Sequence, residues 1–479
     1  MKRNKLQTMS LGSIVRPRRE KEKPADHPDL SFIGLEHIES HTTKLLGSVP
    51  ATEMRSTAHC FRPGDVLFSR LRPYLNKVWR ADRKGLCSSE FIVLPENNLV
   101  DGDFLRYRLS SPDFVAFASH LNTGDRPRVD FDQISVFQIF LPKTLEEQRR
   151  IVAEIEKQFT RLEAGVAALK RVQANLKRYR ATVLKAACEG RLVPTEADLA
   201  RKVGRSYETG DQLLARILTE RRRNWQGRGK YKEPAAPDTA NLSSLPEGWT
   251  WTGFEQLSDG TRHAIKAGPF GSALKKSFYV ATGFKIYGQE QVINGDPYFG
   301  DYFISPELFN ELKNCAVKPG DILISLVGTA GKVLILPEDC APGIINPRLL
   351  KLSLNRTGVL TTFVKILMES SQTRAFFKLA AHGGTMEILN LSILKSLPIP
   401  LPPLAEQERI VAEVERRLSV VEELEKVVSA NHQRAARLRQ SILQRAFTGK
   451  QLYNGLERKQ HYDDDEKEKG AHHDHPNHQ

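Results

Sequence analysis

The sequence has few of the residues that build covalently linked, metal-held or membrane-embedded proteins. It contains five cysteines in 479 residues, an odd number, and none forms a Cys-x-x-Cys pair. This argues against a disulfide framework or a structural zinc site and suits a reducing cytosol. No stretch approaches the roughly 18 uninterrupted apolar residues of a transmembrane helix. The N-terminal segment MKRNKLQTMS also lacks the apolar region of a signal peptide. We therefore expect a cytoplasmic protein.

Motifs that would carry catalysis are also missing. GTAGKV (328–333) has two residues between its glycines instead of four, and Val333 stands where a phosphate loop needs serine or threonine. GPFGS (268–272) lacks the strand and helix context of a dinucleotide site. INPR (345–348) lacks the aromatic partner expected of an amino-methyltransferase motif. The histidines near the C-terminus could chelate a metal but are expected to be silent. The sequence predicts a binding protein without a catalytic residue, metal site or cofactor of its own.

The charge balance is strongly basic. The formal net charge is +14, with 71 lysines and arginines against 57 acidic residues. An excess of this size favours an anionic partner, with nucleic acid as the first candidate. The length predicts three to five structural units, because a single core does not grow to this size.

Two segments of the chain repeat. LPKTLEEQRRIVAEIE (141–156) is matched by LPPLAEQERIVAEVE (401–415), and LKAACEGRLV (184–193) is matched by LQRAFTGKQL (443–452). Both pairs keep one constant offset. The regions between the copies resemble each other far less. A nearly identical frame that carries two different modules is typical of a device that reads two things at a fixed separation.

The repeats delimit two long helices, predicted over 146–187 and 405–447. Apolar residues recur every three or four positions in both, a heptad-like seam flanked by good helix formers. Gly190 and Pro194 end the first helix. At about 1.5 Å per residue each rod is roughly 60 Å long. The simplest way to bury both seams is an antiparallel pair within the chain. Pairing with helices of another protein remains an alternative, and both arrangements could hold together.

The modules between the helices are rich in short strands and turns. Pro-Gly-Asp at 63–65 recurs at 319–321, each time before a strand. We expect a shared scaffold that presents different loops. The polar segment RPRREKEKPADHPD (16–29) is predicted to be mobile. The connector 195–245 is predicted to hold a second helix over 209–225, capped at Thr209 or Asp211, followed by a Pro/Gly-rich linker.

Candidate nucleic-acid contacts lie in basic loops of both modules. SRLRPYLNKVWRADRK (69–84) and TGDRPRVDF (123–131) belong to the first module, and GPFGSALKKS (268–277) and HGGTMEILN (382–390) to the second. Arginine can bond guanine bidentately, and lysine can hold phosphate. Each residue taken alone is more often a solvated surface charge. The predicted DNA contacts are Arg70, Arg72, Tyr74, Lys77, Arg126, Arg128, Ser272, Lys275, Lys276 and Thr385.

The order of module, repeated helix, module, repeated helix resembles the specificity subunit of type I restriction–modification enzymes, over roughly residues 30–453. The segments KYKEPAAPDTANLSSLPEGWTW (230–251) and GPFGS are also similar to that family. The resemblance implies two target recognition domains that read the halves of a bipartite, asymmetric double-stranded DNA target. It also implies docking of two adenine-N6 methyltransferase subunits and of motor–nuclease restriction subunits. S-adenosylmethionine, ATP and Mg are then expected only on those partners. The predicted docking residues are Gln148, Arg149, Glu156, Gln407, Glu408 and Glu415.

The predicted fold class is α+β, with two α/β recognition domains separated by two long helices that pair as an intramolecular antiparallel, pseudo-two-fold coiled coil. The predicted segments are recognition domain 1–140, central spacer helix 141–194, connector 195–245, recognition domain 246–400, distal spacer helix 401–453 and polar tail 454–479. The first module has LGSIVRPRRE where the family has an LPEGW-like entry. Three other classes were weighed: a regulator that binds DNA alone, a fused methyltransferase–nuclease chain, and a coiled-coil scaffold. The missing motifs count against the second and the basic modules against the third.

Overall fold

The structure is a computed structural model that describes residues 7–225, 229–240, 242–270, 272–327, 331–380 and 389–448. The predicted tail 454–479 lies outside these ranges. The chain divides into two compact units, Met1–Arg171 with Val428–Gln479, and Val172–Val427. Each of the two long helices contributes one part to each unit, and the units are described separately.

The first unit begins with a strand-rich module. Its short 3-10 helices are Pro24–Asp26, Leu35–His37, Ala51–Glu53 and Pro73–Leu75. Its strands are β1 (Gln7–Ser10), β2 (Lys21–Glu22), β3 (Ser31–Ile33), β4 (Val49–Pro50), β5 (Ala58–Phe61), β6 (Val66–Ser69), β7 (Val78–Arg80), β8 (Gly85–Cys87), β9 (Phe91–Leu94) and β10 (Gln138–Leu141). Its helices are α1 (Leu11–Ile14), α2 (Gly102–Leu109), α3 (Pro112–His120), α4 (Phe131–Ser135) and the first part of α5 (Leu145–Cys188). They form sheets of order β2-β5-β8-β3-β4 and β7-β6-β9, and β1 pairs with β10.

The second unit repeats this plan after a helical connector. Its helices are the end of α5, α6 (Glu196–Val203), α7 (Gly210–Arg223), α8 (Phe254–Leu257), α9 (Gln289–Asn294), α10 (Pro306–Glu311), α11 (Thr361–Glu369), α12 (Ser371–Ala380), α13 (Leu391–Lys395) and the first part of α14 (Leu404–Phe447). Its strands are β11 (Thr250–Thr252), β12 (Ile265–Ala267), β13 (Phe284–Tyr287), β14 (Phe303–Ile304), β15 (Ile322–Ser325), β16 (Val333–Ile335), β17 (Gly343–Ile345), β18 (Leu349–Leu352) and β19 (Ile399–Leu401). The sheets have the orders β12-β18-β15-β16 and β14-β13-β17, and β11 pairs with β19. Two further 3-10 helices are Lys276–Phe278 and Lys313–Cys315.

The predicted shared scaffold is confirmed by strand pairing. β3 pairs in parallel with β8, and β13 pairs in parallel with β17. β6 and β15 each lie between two antiparallel neighbours. Both Pro-Gly-Asp turns have a glycine with positive φ, 90° at Gly64 and 78° at Gly320, a conformation that glycine adopts without steric cost. The LGSI segment, which seemed to lack the family's entry, forms the strand-to-helix entry β1–α1 that β11–α8 forms in the second unit.

The prediction that residues 16–29 are mobile is wrong. The Arg18 guanidinium binds Asp65 through Nε to Oδ2 at 2.7 Å and Nη2 to Oδ1 at 3.0 Å. Asp65 is buried, and its hydrogen bond is the main reason the pKa of Arg18 is raised. β2 then pairs with β5, and Pro24 is buried. The charged segment 16–29 is therefore held in place by the carboxylate of Asp65, which lies far from it in sequence.

The two long helices match their predicted extents and run antiparallel. In the first unit, Arg439 of α14 pairs with Glu163 of α5 at 3.3 Å. In the second unit, Arg180 of α5 pairs with Glu422 of α14 at 3.2 Å. These two ion pairs are related by the same constant offset as the sequence repeat. The predicted α+β class with an intramolecular helix pair is confirmed.

The apolar seam is buried only in part. Most of its members near the modules, such as Ile155 and Val414, are buried. The prediction of a continuous seam is wrong at Val172, Tyr179 and Leu438, which are 42%, 43% and 49% exposed. A straight helix drifts by about 20° per heptad from a 3.5-residue repeat, which is consistent with a seam that leaves the contact over a rod of this length.

The start of each long helix is fixed by a buried glutamine. Gln148 donates through Nε2 to the Leu99 carbonyl at 2.8 Å and accepts from the Asp101 N–H at 2.8 Å. Gln407 repeats this with the Gly358 carbonyl at 3.2 Å and the Leu360 N–H at 3.0 Å. Both side chains are fully buried. Removing either would leave buried main-chain groups unsatisfied, at about 1–3 kcal/mol each.

Thr209 is the cap of α7, as one of the two predicted alternatives had it. Its hydroxyl accepts from the Gln212 N–H at 3.3 Å, and the Gln212 side chain accepts from the Thr209 N–H at 3.0 Å. This reciprocal arrangement satisfies two donors that a helix start leaves free. Residues 229–240 contain no helix or strand, in line with the predicted linker.

Candidate nucleic-acid interface

In the first unit the two predicted basic segments meet. The Arg72 N–H donates to the Pro127 carbonyl at 2.8 Å, and the Val129 N–H donates to the Arg70 carbonyl at 3.0 Å. The turn between β6 and β7 is tight, with Arg72 at φ 50° and Asn76 at φ 47°. These contacts bring together Arg70, Arg72, Tyr74, Arg126 and Arg128. We call this set the first loop cluster.

Two arginines of the first loop cluster are already neutralised. Arg128 binds Glu90 with Nε at 3.1 Å and Nη2 at 2.9 Å from its carboxylate, and this hydrogen bond raises the pKa of Arg128. Arg70 pairs with Asp130. Arg126 is exposed and contacts no other side chain within the described ranges, and Tyr74 is 46% exposed. Arg126 and Tyr74 are therefore the members most accessible to a ligand.

Lys77 does not join the first loop cluster. Its ammonium donates to the Leu35 carbonyl at 2.6 Å and ties β7 to the segment after β3. In this conformation the Lys77 side chain therefore has a structural role, and its contact with DNA stays a prediction. The sequence could not reveal this structural role, because the acceptor is a main-chain oxygen distant along the chain.

A basic groove beside the first loop cluster was missed. It has a volume of about 630 Å³, and Arg19, Lys21, His59 and Arg70 are among the residues that line it. Burial lowers the pKa of His59, and the charges of Lys21 and Arg70 lower it further, so this ring stays neutral. The RPRR run was the available signal, but it was assigned to a mobile segment.

In the second unit the candidate residues lie on an exposed loop after β12. Ser272, Lys275 and Lys276 are all exposed, and neither lysine forms an ion pair with any residue that the structure describes. Phe270, on the same loop, is 91% exposed. The loop runs close to β18, where the Gly268 N–H donates to the Leu349 carbonyl at 2.9 Å. A Cβ at Gly268 would overlap the Asn346 carbonyl oxygen, so only glycine fits.

Part of this second region falls outside the described residues, including Thr385, most of HGGTMEILN and half of GTAGKV. The hydrogen bond from the Leu389 N–H to the Leu326 carbonyl, 2.9 Å, repeats the Val129–Arg70 bond of the first unit. Arg348 of INPR is exposed and approaches Gln289 Oε1 at 3.5 Å, and Gln289 donates to the Ser325 hydroxyl at 2.8 Å. Sequence reasoning noted INPR only as an incomplete catalytic motif and missed this polar group.

The predicted docking residues divide into three kinds. The side chains of Gln148 and Gln407 are fully buried and anchor the helix starts, and their part in docking stays a prediction. Arg149 pairs with Asp101 at 3.1 Å, and Glu156 with Arg106 at 3.2 Å, although both are at least half exposed. Glu408 and Glu415 are exposed and form no hydrogen bond or ion pair with a side chain in the part of the chain that the structure describes.

Among the described residues, no helix is long and apolar enough to span a bilayer, and no group of three histidine, cysteine or acidic side chains could hold a metal ion. All five cysteines are free thiols. Burial raises the pKa of Cys87, and it raises the pKa of Cys188 to about 12. Both thiols are therefore protonated and poor nucleophiles at neutral pH.

The chain is similar in sequence to proteins of one known family. A family model described as the type I restriction modification DNA specificity domain matches residues 271–426. The chain is 24% identical over 306 residues to the type I restriction enzyme EcoBI specificity subunit of Escherichia coli, covering 64% of this chain and 56% of that protein. It is 22% identical over 304 residues to the EcoAI specificity subunit of the same organism, covering 62% and 49%. The matches thus span about half the length of these relatives.

A solved structure shares the fold over almost the whole chain. It is described as the structural basis underlying complex assembly and conformational transition of the type I R-M system. The TM-score is 0.63 at 22% identity, and the match covers 93% of this chain and 99% of the solved chain. Since identity is low, this likeness concerns the fold.

Proposed function

We propose that this chain, which belongs to the family of type I restriction–modification specificity subunits, gives such an enzyme its DNA sequence specificity. It binds a bipartite, asymmetric target and performs no catalysis itself. One observation carries the proposal: the same strand scaffold is built twice in one chain and presents different side chains at equivalent loop positions. Glu90, just before β9, binds Arg128 in the first unit. At the equivalent position before β18, the second unit has Arg348, which lies beside Gln289.

The chemistry of the loops fits duplex DNA. Lysines and arginines around each loop cluster hold phosphates and set the register, while an oriented arginine or glutamine in the major groove distinguishes bases. Arg126 and Arg348 are exposed for this purpose. Arg70 and Arg128 are held by carboxylates, so binding through them requires an exchange of partners. A net charge of +14 predicts that affinity falls steeply as salt rises.

The long helices serve as the spacer and as the docking surface for two methyltransferase subunits. Those subunits and the motor–nuclease subunits bring S-adenosylmethionine, ATP and Mg. Glu408 and Glu415 are the helix candidates best placed for such docking, because both are exposed and form no hydrogen bond or ion pair with a described side chain. Arg149 and Glu156 remain candidates, but each would have to leave its present partner, Asp101 or Arg106, in order to bind another subunit.

Reconstitution tests the proposed function directly. The purified chain alone is expected to leave DNA unmodified, and the chain with the methyltransferase subunit of its own system is expected to produce N6-methyladenine in one bipartite sequence. Long-read sequencing of DNA treated with each mixture measures this. Methylation by the chain alone would overturn the non-catalytic assignment, and methylation of a continuous target would overturn the two-domain one.

Charge reversal tests the docking surface. The double variant Glu408→Lys, Glu415→Lys is expected to weaken assembly with the methyltransferase subunit by about tenfold, because opposite charges on a rim contribute mainly to association. The unfolding temperature should stay unchanged, since neither carboxylate has a described intramolecular partner. Analytical ultracentrifugation measures assembly. Glu311→Lys is the control, because Glu311 is exposed in the second module and forms no ion pair with a described residue. Normal assembly by the double variant would move the docking site off these helices.

A further inference from the structure

The second unit contains an open groove of about 370 Å³ between α11 and the two long helices. Its floor is apolar and contains Leu184, Ile366 and Leu418. Its rim is charged and contains Arg180, Glu415 and Glu422. The floor residues Leu184, Ile366 and Leu418 are all less than 10% exposed.

The equivalent ion pair in the first unit is contacted on one side by the chain itself, although it also lines a groove of about 930 Å³. There the Arg439–Glu163 pair corresponds to Arg180–Glu422, and residues 41–44 lie over it. Arg439 donates to the Thr42 carbonyl at 2.7 Å and to the His41 carbonyl at 3.1 Å. Lys44 pairs with Glu163 at 2.7 Å. These contacts reduce exposure: the Arg439 side chain is 14% exposed and the Arg180 side chain 32%.

The floor is also fuller in the first unit. Tyr107 and Phe159, the counterparts of Ile366 and Leu418, lie edge to face with ring centroids 5.6 Å apart. Arg106 then binds Glu156 at 3.2 Å. At the corresponding positions of the second unit, Lys365 and Glu415 form no ion pair with any described residue. Each of these contacts is thus missing from the second unit, although the Arg180–Glu422 ion pair is kept.

We propose that this groove binds an extended segment of a partner protein that carries a lysine or arginine. The basic side chain meets Glu422 and Glu415, main-chain carbonyl groups accept from Arg180, and an adjacent apolar or aromatic side chain fills the space that Tyr107 and Phe159 fill in the first unit. Residues 41–44 show that this chemistry suits the surface. The acidic rim disfavours the phosphates of nucleic acid.

A peptide of this chain provides the probe. Fluorescein-labelled IESHTTKLL, the sequence of residues 38–46, is titrated with the full-length protein, and fluorescence anisotropy is recorded. Binding is expected, and Glu422→Lys should weaken it about tenfold, since an attractive pair becomes a repulsive one. Glu423→Lys, on the same helix but outside the groove, should leave it unchanged. A peptide with glutamate in place of Lys44 should bind the Glu422→Lys protein better than the wild-type protein.

Three results would overturn the inference. The first is the absence of binding at millimolar peptide, and the second is equal binding by Glu422→Lys and wild-type protein. The third is loss of binding in Glu163→Lys but not in Glu422→Lys, which would show that the peptide displaces its own counterpart in the first unit. Circular dichroism and the unfolding temperature report whether Glu422→Lys folds. If it does not fold, Glu422→Gln replaces it in the binding assay, with an expected loss of about threefold in peptide affinity.

Discussion

Replacing residues 1–140 with the first module of another family member is expected to change one half of the proposed bipartite DNA target and to leave the other half unchanged. The first loop cluster, Arg70–Tyr74 and Arg126–Arg128, lies wholly within this segment, and the second candidate loops lie within 246–400. A wrong base pair costs about 1–3 kcal/mol, so a half-site with three altered positions loses roughly 10²-fold or more in affinity for the original sequence. Sequencing of methylated DNA from cells that carry each chain identifies the new target.

The boundary of the exchanged segment affects folding, because the first module packs directly on the two long helices. Phe104 meets Phe447 edge to face with centroids 5.4 Å apart, and Tyr107 meets Phe159. An incoming module must keep apolar residues at these positions, or it will fail to fold before it can be tested for specificity. The reciprocal exchange of 246–400 is the matched control and should change only the other half-site. A change in both halves from either exchange would show that the modules do not read DNA separately.

Removing one heptad from each long helix is expected to shorten the unspecified gap between the proposed half-sites. Residues 165–171 of α5 and 429–435 of α14 form a suitable pair, because Val166 and Lys170 lie alongside His432 and Ala435 in the first unit. Seven residues correspond to about 10 Å of helix and a rotation of only about 20°, so the seam stays in phase and the Arg439–Glu163 pair is kept. At about 3.4 Å per base pair the gap should lose roughly three base pairs, or specific binding should fall at least tenfold if the modules no longer face one groove.

The control removes five residues from each helix, 165–169 and 431–435. It shortens the rods by about 8 Å but rotates the seam by about 140°, and should therefore destabilise the helix pair itself. Target selection from a library of random gap lengths, read after methylation, measures the outcome. An unchanged gap at full affinity in the heptad variant would mean that the helices do not set the distance.

The helices were predictable from sequence because their information is local. A heptad pattern over 44 residues, as in α5 and α14, needs no knowledge of distant partners, and the Pro-Gly-Asp turns are equally self-contained. The errors arose where a partner is remote. The residues around Arg18 predict a mobile segment, because its partner Asp65 is 47 positions away and leaves no local signal. The residues around Gln148 predict a surface position for the same reason, since its partners lie before α2.

The loops were the least predictable part of the candidate site. Their basic character is visible in the sequence, but the availability of each charge depends on tertiary pairing. Glu90 neutralises Arg128 and Asp130 neutralises Arg70, whereas Arg126 is left to solvent. Phe270 and Arg348 carried no local signal, since an exposed aromatic residue and an incomplete motif both have many explanations.

The division of each long helix between the units has a consequence for synthesis on the ribosome. The core of the first unit contains Ile155 and Phe159 from α5 together with Ile442 and Phe447 near the end of α14. The first module therefore leaves the ribosome without the helix that completes its core. At about 5–20 residues per second, the missing segment follows only after roughly ten seconds to a minute. Until then the faces of Phe104 and Tyr107 that meet α5 and α14 lack part of their cover, so the nascent chain is expected to depend on chaperones that shield apolar surface.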